Sequence, residues 1–253
     1  MLKAHLSERL REKKILLMTH IVLGYPSFEA AFETIEAMVG AGVDLMELQI
    51  PFSEPIADGP VILRANQRAL AAGATVRQSL DFAREVTHSF DIPFLFMSYY
   101  NIIFKYGIER FISAMAENNL QGAIVPDLPP EEGADYLRAM EKFNLNPIFI
   151  FSPTTSERRM KYLASFGRGF IYCVARKGVT GTETSFSGQL ESYLARCRQS
   201  TDLPLAVGFG VKEKADIDFL KGKADIAVIG SETIRLIEKE GIGAVKGFIR
   251  GLR

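Results

Sequence analysis

Short runs rich in Ile, Val, Leu and Phe recur along the chain: KILLMTHIVL (14–23), VDLMELQI (43–50), PFLFMSYY (93–100), GAIVPD (122–127), NPIFIFS (146–152), GFIYCVA (169–175), PLAVGFG (204–210) and ADIAVIG (224–230). Most are apolar at consecutive positions, the pattern of parallel strands covered on both faces. Between them apolar residues fall at helical spacing, as in FEAAFETIEAMVGAG (28–42), VRQSLDFAREVTHSF (76–90), IERFISAMAENN (108–119), EEGADYLRAMEKF (131–143) and SERRMKYLASFG (156–167). Weaker helical patterns lie at 189–199, 212–221 and 231–250. Strict strand–helix alternation requires parallel pairing with right-handed crossovers. Eight such units in 253 residues predict an α/β fold of the (β/α)8 TIM-barrel type, one domain over 1–253. An open doubly wound sheet is the alternative. Leucines at 2, 6 and 10 of MLKAHLSERLREKK add a short amphipathic helix before the first strand.

Composition narrows the function classes. Lys+Arg and Asp+Glu both number 30, so no global field draws the chain to nucleic acid or to an anionic membrane. A small anionic substrate has to be held locally. No apolar stretch is long enough to span a bilayer. The two cysteines, Cys173 and Cys197, lack metal-ligand spacing and disulfide-framework density, which fits a reducing cytosol. His5, His20 and His88 show no triad or metal spacing, and His20 reads as a satisfied core histidine.

In a barrel the chemistry lies at the C-terminal ends of the strands and in the loops that follow. Two connections are long, 51–74 and 176–188. In VDLMELQI, Leu45, Glu47 and Gln49 share one face, while Met46, Leu48 and Ile50 form an apolar face that belongs against helices. Glu47 therefore points into the barrel near its mouth. Burial raises a carboxyl pKa, so such a group can serve as a general acid. A structural Glu paired with a buried cation or backbone donors is the alternative. Asp58, in ADGP, is either a second functional carboxylate or a turn or N-cap before a helix begun by Pro60. Glu54 reads as facing solvent or a partner. VGFG (207–210) and VIGS (228–231) end the last two strands, with a short helix starting at Ser231, and read either as a phosphate cradle of backbone N–H groups or as plain turn glycines. RKGVTGTETSFSG (176–188) has the composition of a lid or of a plain surface loop.

These features occur in the order found in one family. ELQIPFSEPIADGP (47–60), LGYP (23–26), MSYYN (97–101), VPDLP (125–129), RKGVTG (176–181), VGFG and IGS make the chain resemble the tryptophan synthase alpha subunit along its whole length. The resemblance implies a cytoplasmic lyase that cleaves indole-3-glycerol phosphate to indole and glyceraldehyde 3-phosphate by a retro-aldol reaction. It implies Glu47 as the acid/base, Asp58 as an ionised stabiliser of the indole N–H, and Tyr172 as a tyrosine near the substrate. Gly181, Gly210, Gly230 and Ser231 would form the phosphate cradle. Phe209 and Tyr99 would line or border the indole pocket. Arg176 and Thr180 would be lid residues, with Thr180 meeting Asp58 on closure. The resemblance also implies a beta subunit as partner in an alpha2beta2 complex. Pyridoxal phosphate is expected there and no cofactor in this chain. Four residues depart from the family pattern. Gln49 stands for a glycine and is expected to narrow the pocket or bond Glu47. Glu54 stands for an aspartate, Tyr25 for an aspartate, and His20 for a pocket-lining residue, commonly aromatic. Because of Gln49, a chain kept mainly to activate the beta subunit is the second reading.

Overall fold

All eight apolar runs become strands of one parallel sheet that closes on itself in sequence order. The computed structural model describes residues 2–175, 183–208 and 210–253. The elements run α1 (Leu2–Glu12), β1 (Leu16–Val22), α2 (Phe28–Val39), β2 (Leu45–Gln49), α3 (Pro60–Ala71), α4 (Val76–Ser89) and β3 (Phe94–Met97). They continue α5 (Tyr100–Tyr106), α6 (Ile108–Glu117), β4 (Gly122–Ile124), α7 (Ala134–Lys142), β5 (Asn146–Phe151), α8 (Glu157–Phe166) and β6 (Ile171–Val174). Last come α9 (Glu183–Ser200), β7 (Leu205–Gly208), α10 (Lys214–Leu220), β8 (Ile226–Ile229), α11 (Ser231–Glu240), a 3-10 turn (Ile242–Ala244) and α12 (Val245–Gly251). Among the described residues no helix is long and apolar enough to cross a membrane.

Strand parity divides the core into two layers. Met46, Leu48 and Ile50 pack outward with the helices, as the alternation in VDLMELQI predicts. Leu45 points inward to join Leu16, Met18, Leu95, Ile124, Ile148, Ala206 and Ile226 in the barrel interior. Leu2 and Leu6 of α1 join the same cluster, so the N-terminal helix plugs the barrel below the site.

A buried carboxylate fastens that plug. Asp44 is 1 % exposed, directly before β2. Its Oδ1 accepts from Arg9 Nη2 at 3.0 Å and from Lys13. Its Oδ2 accepts from the Leu17 N–H at 3.0 Å and Arg253 Nη2 at 3.1 Å. One anion thus ties α1, β1 and the C-terminus. Burial opposes its ionisation, but Lys13, the Leu17 N–H and Arg253 outweigh that and hold the carboxyl below its ordinary value. Breaking such a buried pair is expensive, so Asp44→Asn is expected to lower the unfolding free energy by about 3 kcal/mol at neutral pH, read by urea denaturation. A depressed carboxyl stabilises above the unfolded-state pKa, and that stability is lost as pH falls through the folded value. Native protein and variant should therefore converge in acid; a difference that persists there would contradict the assignment.

The elements differ from the sequence reading at four places. The third apolar run stops as a strand at Met97, because both oxygens of Asp127 accept from the Tyr100 N–H (2.9 and 3.1 Å) and start α5 there. The connection after β2 is loop only to Gly59, since Pro60 opens α3. Residues read as loop through 188 are helical from Glu183. The pattern over 231–250 breaks at Gly241, whose φ of 81° ends α11.

Candidate active site

The register of β1 and β2 sets His20 directly beside Glu47. Both side chains point into the barrel mouth and both are 3 % exposed. His20 Nδ1 and Glu47 Oε1 lie 2.9 Å apart. Tyr172, from β6 on the other side, donates its hydroxyl to the same Oε1 at 3.3 Å. Glu47 Oε2 has no hydrogen-bond partner among the described residues. The alternative of a cation-paired glutamate is thus partly realised, since His20 is that partner, yet Glu47 also lines a cavity.

Electrostatics follow from this packing. Burial alone would lower the His20 pKa, but the hydrogen bond and charge of Glu47, with the charge of Asp58, more than offset it and raise it. Burial, reinforced by the Glu47 charge, pushes the Tyr172 phenol well up, so it stays protonated and donates. Reading His20 as a satisfied core histidine is corrected: its Nε2 has no partner and the ring lines the cavity.

The second carboxylate arrives on the loop 51–59. The Phe52 N–H donates to Asn66 Oδ1 at 2.9 Å, and the Ala57 N–H donates to Tyr99 Oη at 3.1 Å. The Phe52 ring stacks on Tyr99 with centroids 5.0 Å apart. These anchors, with Pro51 and Pro55 inside the loop and Pro60 opening α3, hold the loop in place. Asp58 does not cap α3, whose N-cap is Gly59 with no side-chain bond. Its Oδ2 instead accepts from Gln49 Nε2 at 2.6 Å and from the Tyr99 hydroxyl at 3.2 Å. Burial raises the Asp58 carboxyl above its ordinary value, while the His20 charge and these two donors work against that rise. Gln49 therefore bonds Asp58, correcting the expectation that it reaches Glu47. Tyr99 is 1 % exposed and stands behind Asp58; it is not among the residues lining the cavity.

The cavity holds about 480 Å³, within the range of small-molecule sites. Glu47, His20 and Asp58 line it, and Met97, Ile124, Ile150, Val228 and Ile62 supply apolar surface. Gly210, Gly230 and Ser231 line the same cavity, Gly230 lying close to His20. Gly210 has a φ of 90°, which only glycine adopts without strain. A side chain on Gly208 would press within 3.2 Å of Tyr172, so that glycine leaves room for the phenol. No side chain caps α11, so the positive end of its dipole is open to an anion here. Glu232 of the same turn is paired with Arg235 at 3.0 Å. Lys212 and Arg235 add positive charge there, and sequence reading missed both. Arg235 was findable, four residues after Ser231 and hence on the same helix face.

Of the predicted site residues, Glu47, Asp58, Tyr172, Gly210, Gly230 and Ser231 share this one cavity. Phe209, Arg176, Thr180 and Gly181 lie outside the described residues, as does the expected Thr180–Asp58 contact. Tyr25 works at the rim: its hydroxyl donates to Glu238 at 2.7 Å and accepts from Arg68 at 3.2 Å, joining α11 to α3. Among the described residues no group of His, Cys, Asp and Glu is arranged to hold a metal.

A buried and a half-buried carboxylate lining one largely apolar cavity, with an anion cradle in the same cavity, suit acid–base chemistry on a flat apolar group that carries a phosphate. The comparisons agree with that geometry. A sequence profile of the family described as tryptophan synthase alpha chain matches residues 6–249. The chain is 66 % identical over 252 residues to the tryptophan synthase alpha chain of Desulforapulum autotrophicum, covering 100 % of both. It is 62 % identical over 253 residues to that of Syntrophotalea carbinolica, again with 100 % of both covered. Among solved structures it resembles tryptophan synthase from Mycobacterium tuberculosis, with a TM-score of 0.91 at 29 % identity, covering 99 % of this chain and 96 % of that one. The alpha subunit from Legionella pneumophila gives 0.90 at 29 % identity with the same coverage. The chain belongs to the tryptophan synthase alpha chain family.

Proposed function

We propose that this chain, acting as one domain over 1–253, cleaves indole-3-glycerol phosphate to indole and glyceraldehyde 3-phosphate. The observation that carries the reading is that Glu47 and Asp58 line one largely apolar cavity together with an uncapped helix N-terminus. Three proton or charge changes accompany the reaction. A proton is added to indole carbon 3, positive charge builds on the ring nitrogen, and the glycerol hydroxyl on the bond being cut gives up its proton as it becomes the aldehyde. The electron pair of the broken carbon–carbon bond returns to the indole ring. Protons balance: one enters at carbon 3 and one leaves the hydroxyl.

Glu47 suits the first and third roles. Its Oε1 is held by His20 and Tyr172, and its Oε2 is free to exchange a proton with substrate. Asp58, held through Oδ2, suits the second, a fixed negative charge beside the ring N–H. Gly210, Gly230, Ser231 and the α11 dipole suit the phosphate, with Gly181 proposed to complete the cradle. Tyr99 supports Asp58 from behind. Phe209 is proposed as an indole wall, and Arg176 and Thr180 as lid residues.

The partner proposed is a tryptophan synthase beta subunit in an alpha2beta2 complex, with pyridoxal phosphate chemistry confined to that subunit. The rim supports this. Ile56 is 79 % exposed and Phe104 64 % exposed, on the loop after β2 and on α5, with Glu54 exposed beside Ile56. Large apolar side chains exposed on one rim mark an interaction surface. Ile56→Glu is expected to weaken beta-subunit binding by about tenfold or more, measured by calorimetry, with unchanged thermal stability. Unaltered affinity would move the interface elsewhere. The free, buried state of Cys173 and Cys197 fits the proposed cytoplasmic setting.

The test is release of indole and glyceraldehyde phosphate by purified chain, with and without beta subunit. Equal amounts of both products are expected. Full stimulation of the beta subunit without indole release would favour the activating-partner reading.

A further inference from the structure

Two departures from the family pattern converge on the two carboxylates. His20 bonds Glu47 and Gln49 bonds Asp58. Each takes one carboxylate oxygen, and each is nearly excluded from solvent, His20 at 3 % and Gln49 at 0 %. Neighbouring strands place them together, since Val22, two residues beyond His20, pairs with Gln49 while His20 pairs with Glu47. Two adjacent polar groups result: Tyr172 donates its hydroxyl to Glu47, which meets His20, and Gln49 and the Tyr99 hydroxyl both donate to Asp58.

We propose that His20 and Gln49 are positioning residues, His20 gripping Glu47 and Gln49 gripping Asp58 by one oxygen each, so that both acids present their second oxygen to substrate in a fixed orientation. This rests on the lyase reading of the site. Glu47 Oε2 and His20 Nε2 are both buried without a partner among the described residues. Unsatisfied buried polar atoms are costly and cluster where a site awaits a ligand. A carboxylate held at one oxygen cannot rotate away, which is how a neighbouring group improves proton transfer without touching the reacting carbon. The imidazole adds a second effect. In its charged form it lends Glu47, through Nδ1, the proton that goes to carbon 3 and takes one back when Glu47 accepts the glycerol hydroxyl proton, so the pair handles one proton as a unit. The groups facing the imidazole are Glu47 from β2, Asp58 and Gln49 beyond it, and Tyr172 acting through Glu47.

The test uses full-length chain and indole-3-glycerol phosphate. His20→Phe fills the space without the Nδ1 bond; kcat for indole release is expected to fall by about 30-fold with KM within about twofold. Gln49→Gly is expected to lower kcat by about tenfold through Asp58. His20→Asn sets an amide where Nδ1 stood and is expected to restore at least about a third of the lost rate, which a purely space-filling role would not produce. Binding of inorganic phosphate should be unchanged in all three. Rates within about twofold of native for His20→Phe and Gln49→Gly, while native chain releases indole, would overturn the proposal. A second readout does not depend on turnover. In nitrogen-15 spectra of the three histidines, His20 should show a charged ring with a downfield Nδ1 proton that disappears in Glu47→Gln. If the native chain releases no indole, the lyase reading fails, and a neutral His20 insensitive to Glu47→Gln would remove the pairing as well.

Discussion

Replacing Glu47 by glutamine is expected to cut indole release by about a thousandfold or more while leaving the fold and phosphate binding in place. The substitution keeps the shape of the side chain and its Oε1, so Tyr172 still finds an acceptor. It removes the exchangeable proton. Without it no carboxyl beside His20 protonates indole carbon 3 or accepts the glycerol proton, and burial still keeps the Tyr172 phenol protonated. General acid–base catalysis contributes about 10²–10⁴-fold, and here one group serves both steps, so the upper part of that range applies. Thermal unfolding should change less than for Asp44→Asn, because the buried His20, unlike the Arg and Lys partners of Asp44, can shed its proton once the Glu47 charge is gone. A variant that kept substantial activity would take the acid/base role away from Glu47.

Asp58→Asn is the second large effect. It keeps an acceptor for Gln49 and Tyr99 and deletes only the negative charge. A preorganised charge aimed at developing positive charge is worth about 10²–10³-fold, so kcat should fall by roughly that factor, with KM for substrate nearly unchanged. The pH dependence has a definite sign. Asp58 must be ionised to stabilise the ring N–H. Burial raises its pKa, so ionisation, and activity with it, is present above that raised value and lost as pH falls through it. Native enzyme should show an acid limb above the ordinary aspartate value of about 3.9. The variant should lose that limb while keeping whatever Glu47 and His20 contribute. An identical acid limb in both proteins would assign it to another group.

What was legible in the sequence follows from which interactions are local. Parallel strands covered on both faces appear as apolar runs, so all eight were visible. The period of two in VDLMELQI pointed Glu47 inward without any knowledge of its neighbours. Pro60 announced α3. Long-range bonds were not visible. The start of α5 depends on Asp127, 27 residues away, capping Tyr100, so MSYY read as strand. The pairing of His20 with Glu47 depends on the β1–β2 register, and a histidine within an apolar strand carries no mark of it. Gln49 was placed on the correct face but given the wrong partner, because Asp58 reaches it only when the loop folds back over the strand, held by Asn66 and Tyr99. Arg235 and Lys212 were missed because glycines drew the argument to backbone N–H groups alone.

The central claim is a division of labour between Glu47 and Asp58 across one bound substrate. A crystal structure of the Glu47→Gln variant with indole-3-glycerol phosphate tests it most directly. The account predicts the phosphate at Gly210, Gly230 and Ser231, the ring N–H within hydrogen-bond distance of Asp58, and the side chain at position 47 against indole carbon 3. An indole turned so that its nitrogen faces position 47, or a phosphate bound away from the start of α11, would contradict it.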